Sequence, residues 1–237
     1  MTALYFAYII LVKGSFCVNT YSDRFEIYYI RHGDTSGAPC EDRDRCDIDL
    51  SALGEKQAAL VGERFRGKRF DAVLSSPLVR AVKTAAAVAA ELDGSPAIEV
   101  IPELIENGST YGYRGCDAEY LKKYYPDITV TNGCIFGESE AIPNRSDEEN
   151  DARAEKIIEY LRSRFTYGQR IIVVAHGSFG NHFLPAAVGM KTGDFILSIN
   201  NTSVSKIKYT DDGDKRISFM NDMSHLRPLM PDYETEV

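Results

Sequence analysis

The chain has 237 residues, of which 44% are apolar, 11% aromatic and 26% charged, with a net charge of −8 at pH 7. That composition excludes a disordered, collagen-like or coiled-coil chain and suits one large domain or two small ones. Acidic residues outnumber basic ones, 35 to 27, which disfavours broad binding to nucleic acid or an anionic membrane but leaves room for arginines clustered around a small anion.

The first segment is an apolar run, Leu4 to Val12. It is too short to span a bilayer, which takes about 20 residues. The positively charged start of a secretory signal is missing, and Lys13 follows directly. Residues 1–22 therefore read as an N-terminal extension or a buried edge segment, and 23–237 as the folded domain. Phe25 to Ile30 (FEIYYI) is aromatic and β-branched, a buried strand. Polar, turn-rich sequence follows to Asp49. Leu53, Leu60, Val61 and Phe65 recur at helical spacing between Ala52 and Arg66. Asp71 to Ser75 is a short strand. Ser76 before Pro77 predicts an N-cap and a first helical residue, with Leu78, Ala81, Val82, Ala85, Val88, Ala89 and Leu92 along one face of the helix.

Ala97 to Ile101 is another strand. Glu106 to Asn150 is poorly periodic and rich in Gly and Tyr, and reads as a lid or insertion with a short helix near Asp117 to Tyr124. Glu148 to Phe165 is a charged amphipathic helix. Arg170 to Ala175 (RIIVVA) is a strand buried on both faces, and a helix follows from about Ser178 to Val188. Ser203 to Tyr209 and Arg216 to Phe219 are strands joined through Asp211-Asp212-Gly213-Asp214, a hairpin turn. Strands alternate with helices, so the expected fold is α/β, a mostly parallel central sheet with helices on both faces and the 106–150 lid. Ligands of such sheets bind beyond the carboxyl ends of the strands.

Five cysteines, Cys17, Cys40, Cys46, Cys116 and Cys134, form no Cys-x-x-Cys pair and are odd in number. Free thiols in a reducing cytoplasm are the simpler reading than a disulfide framework or a zinc ribbon.

Two histidines follow predicted strands, and each precedes a glycine: His32-Gly33 and His176-Gly177. In Arg31-His32-Gly33-Asp34-Thr35, a neutral imidazole held through one nitrogen could attack phosphorus with the other. Gly33 would let the backbone approach closely, Arg31 would hold phosphoryl oxygens through its planar fork, and Thr35 would add a hydroxyl. A surface turn with a chance Arg-His pair is the alternative. In Ser75-Ser76-Pro77-Leu78-Val79-Arg80, the helix start favours an anion and Arg80 could reach it, though a capped helix with a solvated arginine explains the pattern too. His176 could donate to transferring oxygens if protonated, or be a buried histidine satisfied by backbone. Ser178 lies beside it, yet a Gly-x-Ser-x-Gly elbow is absent, as is His-Glu-x-x-His.

Taken in order, Arg31-His32-Gly33, Leu53-x-x-x-Gln57-Ala58, Ser75-Ser76-Pro77-x-x-Arg80-Ala81-x-x-Thr84-Ala85, Leu104-x-Glu106 and Ala175-His176-Gly177 resemble the histidine phosphatase superfamily, the phosphoglycerate mutase-like family. The match runs from Tyr28 to about Val188, and Asn221-Asp222-x-x-His225-Leu226 resembles the family's C-terminal end. The resemblance implies that His32 is the nucleophile and that Arg31, Arg80 and His176 form the phosphate pocket; Gly33, Thr35 and Ser178 are further candidates for binding substrate. It implies Glu106 as general acid and base, with Glu103 as the nearby competitor. No cofactor or metal is implied, since arginines and imidazoles supply the positive charge.

The implied function is hydrolysis of small phosphate monoesters through a phosphohistidine. A phosphoglycerate mutase-type transfer and a non-catalytic phosphate-binding module are the alternatives. Glycolytic mutases typically carry Trp-Asn after the Arg-His-Gly, whereas this chain has no tryptophan and continues Ser36-Gly37-Ala38-Pro39. The expected partner is a phosphorylated small molecule, with no nucleic acid and no stable membrane association; a homodimer stays open. Arg43 and Arg45, and Tyr111, Tyr113 and Arg114, are candidates for further substrate contacts. His182 and His225 read as structural.

Overall fold

The computed structural model describes residues 23–38, 47–107, 118–131, 145–193, 196–210 and 213–229. Seven strands form one sheet: β1 (Asp23–Arg31), β2 (Ala72–Ser75), β3 (Ile98–Val100), β4 (Ile128–Val130), β5 (Gln169–Ala175), β6 (Val204–Thr210) and β7 (Lys215–Asp222). Their order is β4-β3-β2-β5-β1-β6-β7. The first five in that order run parallel, while β6 is antiparallel to β1 and β7 to β6. This is the expected mostly parallel α/β sheet.

Side-chain alternation along the central strands explains the layers. Phe25, Ile27 and Tyr29 of β1 and Ile171, Val173 and Ala175 of β5 face one way, against α4 (Asp147–Arg164) and α5 (Gly177–Val188). Tyr28 and Ile30 of β1 and Ile172 and Val174 of β5 face the other way, against α1 (Ala52–Phe65) and α2 (Val79–Glu91). Both faces of β5 are thus dry, which is why RIIVVA carries no polar alternation. A full burial of each such Val or Ile is worth about 1.5–3 kcal/mol.

Three elements differ from the sequence reading. The 106–150 stretch contains β4, a sheet edge parallel to β3, besides a single helical turn, α3 (Ala118–Leu121). Three residues are too few for a periodic signal to stand out. The other difference is the start of α2. Ser76 does not cap it: the helix begins at Val79 after Leu78, and the Val79 N–H is accepted by both Asp47 carboxylate oxygens at 3.0 Å. A carboxylate from another loop takes over because the Ser76 hydroxyl is engaged elsewhere. Last, α5 begins at Gly177 with His176 as its N-cap.

Leu4–Val12, all five cysteines, Arg43, Arg45, Tyr111, Tyr113, Arg114, Asp211 and Asp212 lie outside the described residues. Among the described residues no helix is long and apolar enough to cross a membrane.

Candidate active site

Strand register builds the site. Arg31 pairs with Ala175 across β1 and β5, and Ser75 with Val174 across β2 and β5. The next residues of three adjacent parallel strands, His32, Ser76 and His176, therefore emerge side by side at their carboxyl ends. Backbone bonds continue the ladder: the His32 N–H donates to Ala175 O (3.0 Å) and the Ser76 N–H to Val174 O (2.9 Å). The two imidazole ring centroids are 5.1 Å apart.

His32 is buried, with Nδ1 2.7 Å from Gly33 O. A carbonyl can only accept, so Nδ1 carries the proton and Nε2 keeps its lone pair. The Arg80 guanidinium donates to that Nε2 at 3.3 Å. Burial first, then the positive charge of Arg80, pushes the His32 imidazole down to about 3. Thr84 ties the parts together: its Oγ1 accepts the Gly33 N–H (3.1 Å) and donates to Arg80 O (2.8 Å).

A Cβ on Gly33 would stand 2.6 Å from Gly54 O, so this turn needs glycine because α1 presses on it. Asp34 fastens the turn to the start of α1, accepting from Ser51 Oγ at 2.6 Å and from the Ser36 N–H at 2.9 Å. The Ser51 hydroxyl is the main reason its carboxyl lies below the usual range, although burial opposes it.

Arg31 donates through Nη1 to Ile199 O at 2.6 Å, while its buried Nε has no partner among the described residues. A Cβ at Gly177 would meet that Nε at 3.1 Å. The loop at 199–202 braces this edge: Asn201 Nδ2 donates to His32 O (3.0 Å) and the Thr202 N–H to Arg31 O (2.9 Å). Thr202 adopts φ 54°, a strained left-handed conformation for a β-branched residue.

His176 is fully buried, with Nε2 2.6 Å from Ser76 Oγ and its carbonyl accepting from the Tyr29 hydroxyl at 2.7 Å. Burial and the nearby Arg80 hold it well below the ordinary histidine value. Arg80 is itself lowered by burial, an effect opposed by Asp47 and Glu106.

Glu106 closes the far side from the loop after β3. Its Oε1 accepts the Phe179 N–H (2.8 Å) and the Asn107 N–H (2.8 Å), and Oε2 the Ser178 N–H (3.3 Å). The carboxylate is thereby held at the start of α5, one turn from His176. Ser178 contributes this backbone N–H, and its side chain is exposed. Glu103 is placed differently: it is buried and neither carboxylate oxygen has a partner among the described residues. Thr35 is half-buried beyond the turn.

The sequence reading thus finds Arg31, His32, Gly33, Arg80, Glu106, His176 and the Ser178 backbone gathered at one end of the sheet. It passes over Asp47, Asn201 and Arg153, none of which sits in a recognisable pattern. Arg153 of α4 is buried, donates to Glu103 O (3.0 Å), Ile105 O (2.9 Å), Asn107 Oδ1 (2.5 Å) and Asn150 Oδ1 (2.8 Å), and stacks 4.1 Å over the Phe179 ring. It clamps the loop that carries Glu106. His182 pairs its Nδ1 with Asp151 Oδ1 (2.6 Å) between α4 and α5, and His225 lies 3.2 Å from Thr202 Oγ1 and beside Arg64.

Known proteins are similar to this chain in sequence and in fold. The phosphoglycerate mutase of Schizosaccharomyces pombe is 29% identical over 180 residues, covering 73% of this chain and 83% of the mutase. Phosphoserine phosphatase from Entamoeba histolytica, solved with 3-phosphoglyceric acid, shares the fold at TM-score 0.60 and 22% identity, covering 85% of this chain and 99% of that one. The ecdysone phosphate phosphatase from Bombix mori shares it at TM-score 0.60 and 18% identity, over 87% of this chain and all of that one. The model of the histidine phosphatase superfamily, branch 1, spans residues 27–223, from β1 through the brace loop to the end of β7, and the chain belongs to that superfamily.

Proposed function

We propose that the protein hydrolyses small phosphate monoesters through a phosphohistidine at His32. One observation carries this reading: the His32 imidazole is fixed through Nδ1 by Gly33 O, which leaves Nε2 unprotonated beside Arg80, in a ring whose centroid is 5.1 Å from that of the second imidazole. A nucleophile at phosphorus needs that unprotonated nitrogen, whose lone pair the Arg80 N–H must yield to phosphorus, and a dianionic phosphoryl group needs the guanidiniums around it.

The substrate dianion is held by Arg31, Arg80 and His176. Nε2 of His32 attacks phosphorus in line, forming the N–P bond as the ester P–O bond breaks. Glu106 gives its proton to the departing oxygen. Water then attacks the phosphohistidine, losing a proton to the Glu106 carboxylate, and phosphate leaves with His32 restored. Glu106 suits both steps better than Glu103, because it is partly open to solvent at the start of α5 while Glu103 is buried. The Glu103 backbone belongs to the Arg153 clamp.

A mutase-type transfer would share this chemistry up to the phosphoenzyme. Phosphatase is favoured here by the chain's own residues, since no tryptophan follows Arg31-His32-Gly33 or occurs anywhere else. A non-catalytic binding module would not need an imidazole with a fixed tautomer and a carboxylate held at the start of α5 beside His176.

The test is hydrolysis of an aryl phosphate by the wild type and by His32→Ala. Loss of turnover, with an acid-labile and base-stable phosphoenzyme trapped in the wild type, is the expected result. Undiminished turnover by His32→Ala ends the proposal. Isomerised phosphoglycerate on adding 2,3-bisphosphoglycerate would replace hydrolysis with mutase transfer.

A further inference from the structure

We propose that Ser76 sets the tautomer of His176, so that a neutral imidazole presents its Nδ1–H to the phosphoryl oxygens. His32, in the same tautomer, turns its Nε2 lone pair to the phosphorus. The inference rests on the site being a phosphoryl pocket, as argued above, and makes Ser76 a positioning residue acting through His176.

Hydrogen-bond accounting decides the direction of the 2.6 Å contact between Ser76 Oγ and His176 Nε2. Both side chains are fully buried, so each polar hydrogen needs a protein partner. Suppose His176 donated through Nε2–H. The Ser76 hydroxyl hydrogen would then have no acceptor among the described residues, and Nδ1 would be a second unpaired group. Suppose instead that Ser76 donates. Its hydrogen is satisfied by Nε2, its oxygen accepts the Leu78 N–H at 3.4 Å, and one group is left over, the Nδ1–H. The second arrangement strands one buried group where the first strands two, so it is the more stable.

The group left over has a use. Nδ1 of His176 is buried without a partner among the described residues, and so is Nε of Arg31, which packs against Gly177, the next residue along. These two unpaired donors, one of them on a ring whose centroid is 5.1 Å from that of His32, are what a phosphoryl dianion can satisfy together. The buried imidazole stays neutral among Arg80, Arg31 and Arg153, so the donor role requires no imidazolium. The same hydroxyl accounts for Asp47, not Ser76, capping α2 at Val79: Ser76 gives its hydrogen to His176 and accepts only from the Leu78 N–H before the helix.

The experiment is a long-range proton–nitrogen correlation spectrum of the imidazoles in the ¹⁵N-labelled full chain, with His176 identified by its loss in His176→Gln. The expected pattern is a protonated Nδ1 and an unprotonated Nε2; a protonated Nε2 overturns the proposal. In Ser76→Ala the His176 nitrogens should shift toward the other tautomer, and affinity for inorganic phosphate should fall about 10-fold, the loss of one hydrogen bond to an anion. Unchanged phosphate affinity in a folded Ser76→Ala overturns it as well. Should that variant not fold, the wild-type spectrum alone decides. The spectrum does not depend on turnover, so the expected tautomer in a protein that hydrolyses nothing would sink the phosphohistidine reading and leave this one standing.

Discussion

Gly54→Ala is the sharpest test of how the fold holds His32, the proposed nucleophile. Gly54 is the third residue of α1, and an added Cβ would lie 2.1 Å from Asp34 O and 2.9 Å from Asp34 N, where ordinary contact begins at 3.4 Å. The obstacle is backbone, two residues after His32. The turn cannot retreat cheaply, because Asp34 O accepts the Ser51 N–H (2.9 Å) and Asp34 N donates to Gln57 Oε1 (2.8 Å). Helix propensity alone favours alanine by about 1 kcal/mol. Overpacking costs about 1–3 kcal/mol, and this overlap lies at the upper end of that range. The clash therefore wins by roughly 1–2 kcal/mol, and Tm should fall by roughly 2–8 °C for a chain of this size.

Activity should suffer more than stability. Relieving the overlap moves the His32 turn by about 1 Å, which is worth about 100-fold in kcat/KM when it displaces a nucleophile. The assay pairs steady-state hydrolysis of an aryl phosphate with thermal melting, and Gly62→Ala is the control. A Cβ there would meet Ala87 O at 2.5 Å between α1 and α2, so it should lower Tm while leaving kcat/KM near wild type. A Gly54→Ala protein with wild-type kcat/KM and Tm would refute the view that α1 positions the nucleophile.

Three further outcomes are expected. Arg153→Ala strips donors from Glu103 O, Ile105 O and the Asn107 and Asn150 amides, and should cost about 2–4 kcal/mol by urea unfolding; an unchanged urea midpoint would deny the clamp. Asp47→Ala removes the cap of α2 and should cost about 1–2 kcal/mol, with Asp47→Asn recovering part of it in the same melts. Acid should destabilise the protein well above the carboxylate range. His32 at about 3, with His176 also depressed, stays neutral when folded, whereas the unfolded chain takes up protons below about pH 6.5, so stability present above that pH is lost as pH falls. At pH 5.5 His32 alone accounts for a loss of about 1 kcal/mol and His176 adds to it in the same direction, so a urea midpoint identical at pH 7.5 and 5.5 would contradict it.

Legibility in the sequence followed the range of the forces involved. The strands and helices around β1 and β5 were plain because burial on both faces writes long apolar runs such as RIIVVA. His32 and His176 were plain because each ends such a run at a glycine. The edge strand β4 left no comparable pattern, being three residues long with only Ile128 buried. The cap of α2 was misread because Ser76-Pro77 is a strong local signal, and nothing local reveals that the hydroxyl is claimed by a histidine 100 positions away. Asp47, Asn201 and Arg153 escaped for the same reason: each acts on backbone groups brought near only by the folded sheet.

Charge explains why burial of the imidazoles is part of the site rather than an accident of packing. Were both histidines protonated beside Arg31 and Arg80, four positive charges would share one buried end of the sheet, and two of them at 5.1 Å repel by about 3 kcal/mol even at an effective dielectric of 20. With both imidazoles neutral, the two guanidiniums would match the two negative charges of the proposed phosphoryl dianion. In the proposed chemistry the Nδ1–H of one ring then serves donation, and the lone pair of the other turns from the Arg80 N–H to attack. Acid therefore harms the protein twice over: protonating either imidazole removes folding stability, and at His32 it also removes the lone pair on which the proposed chemistry depends.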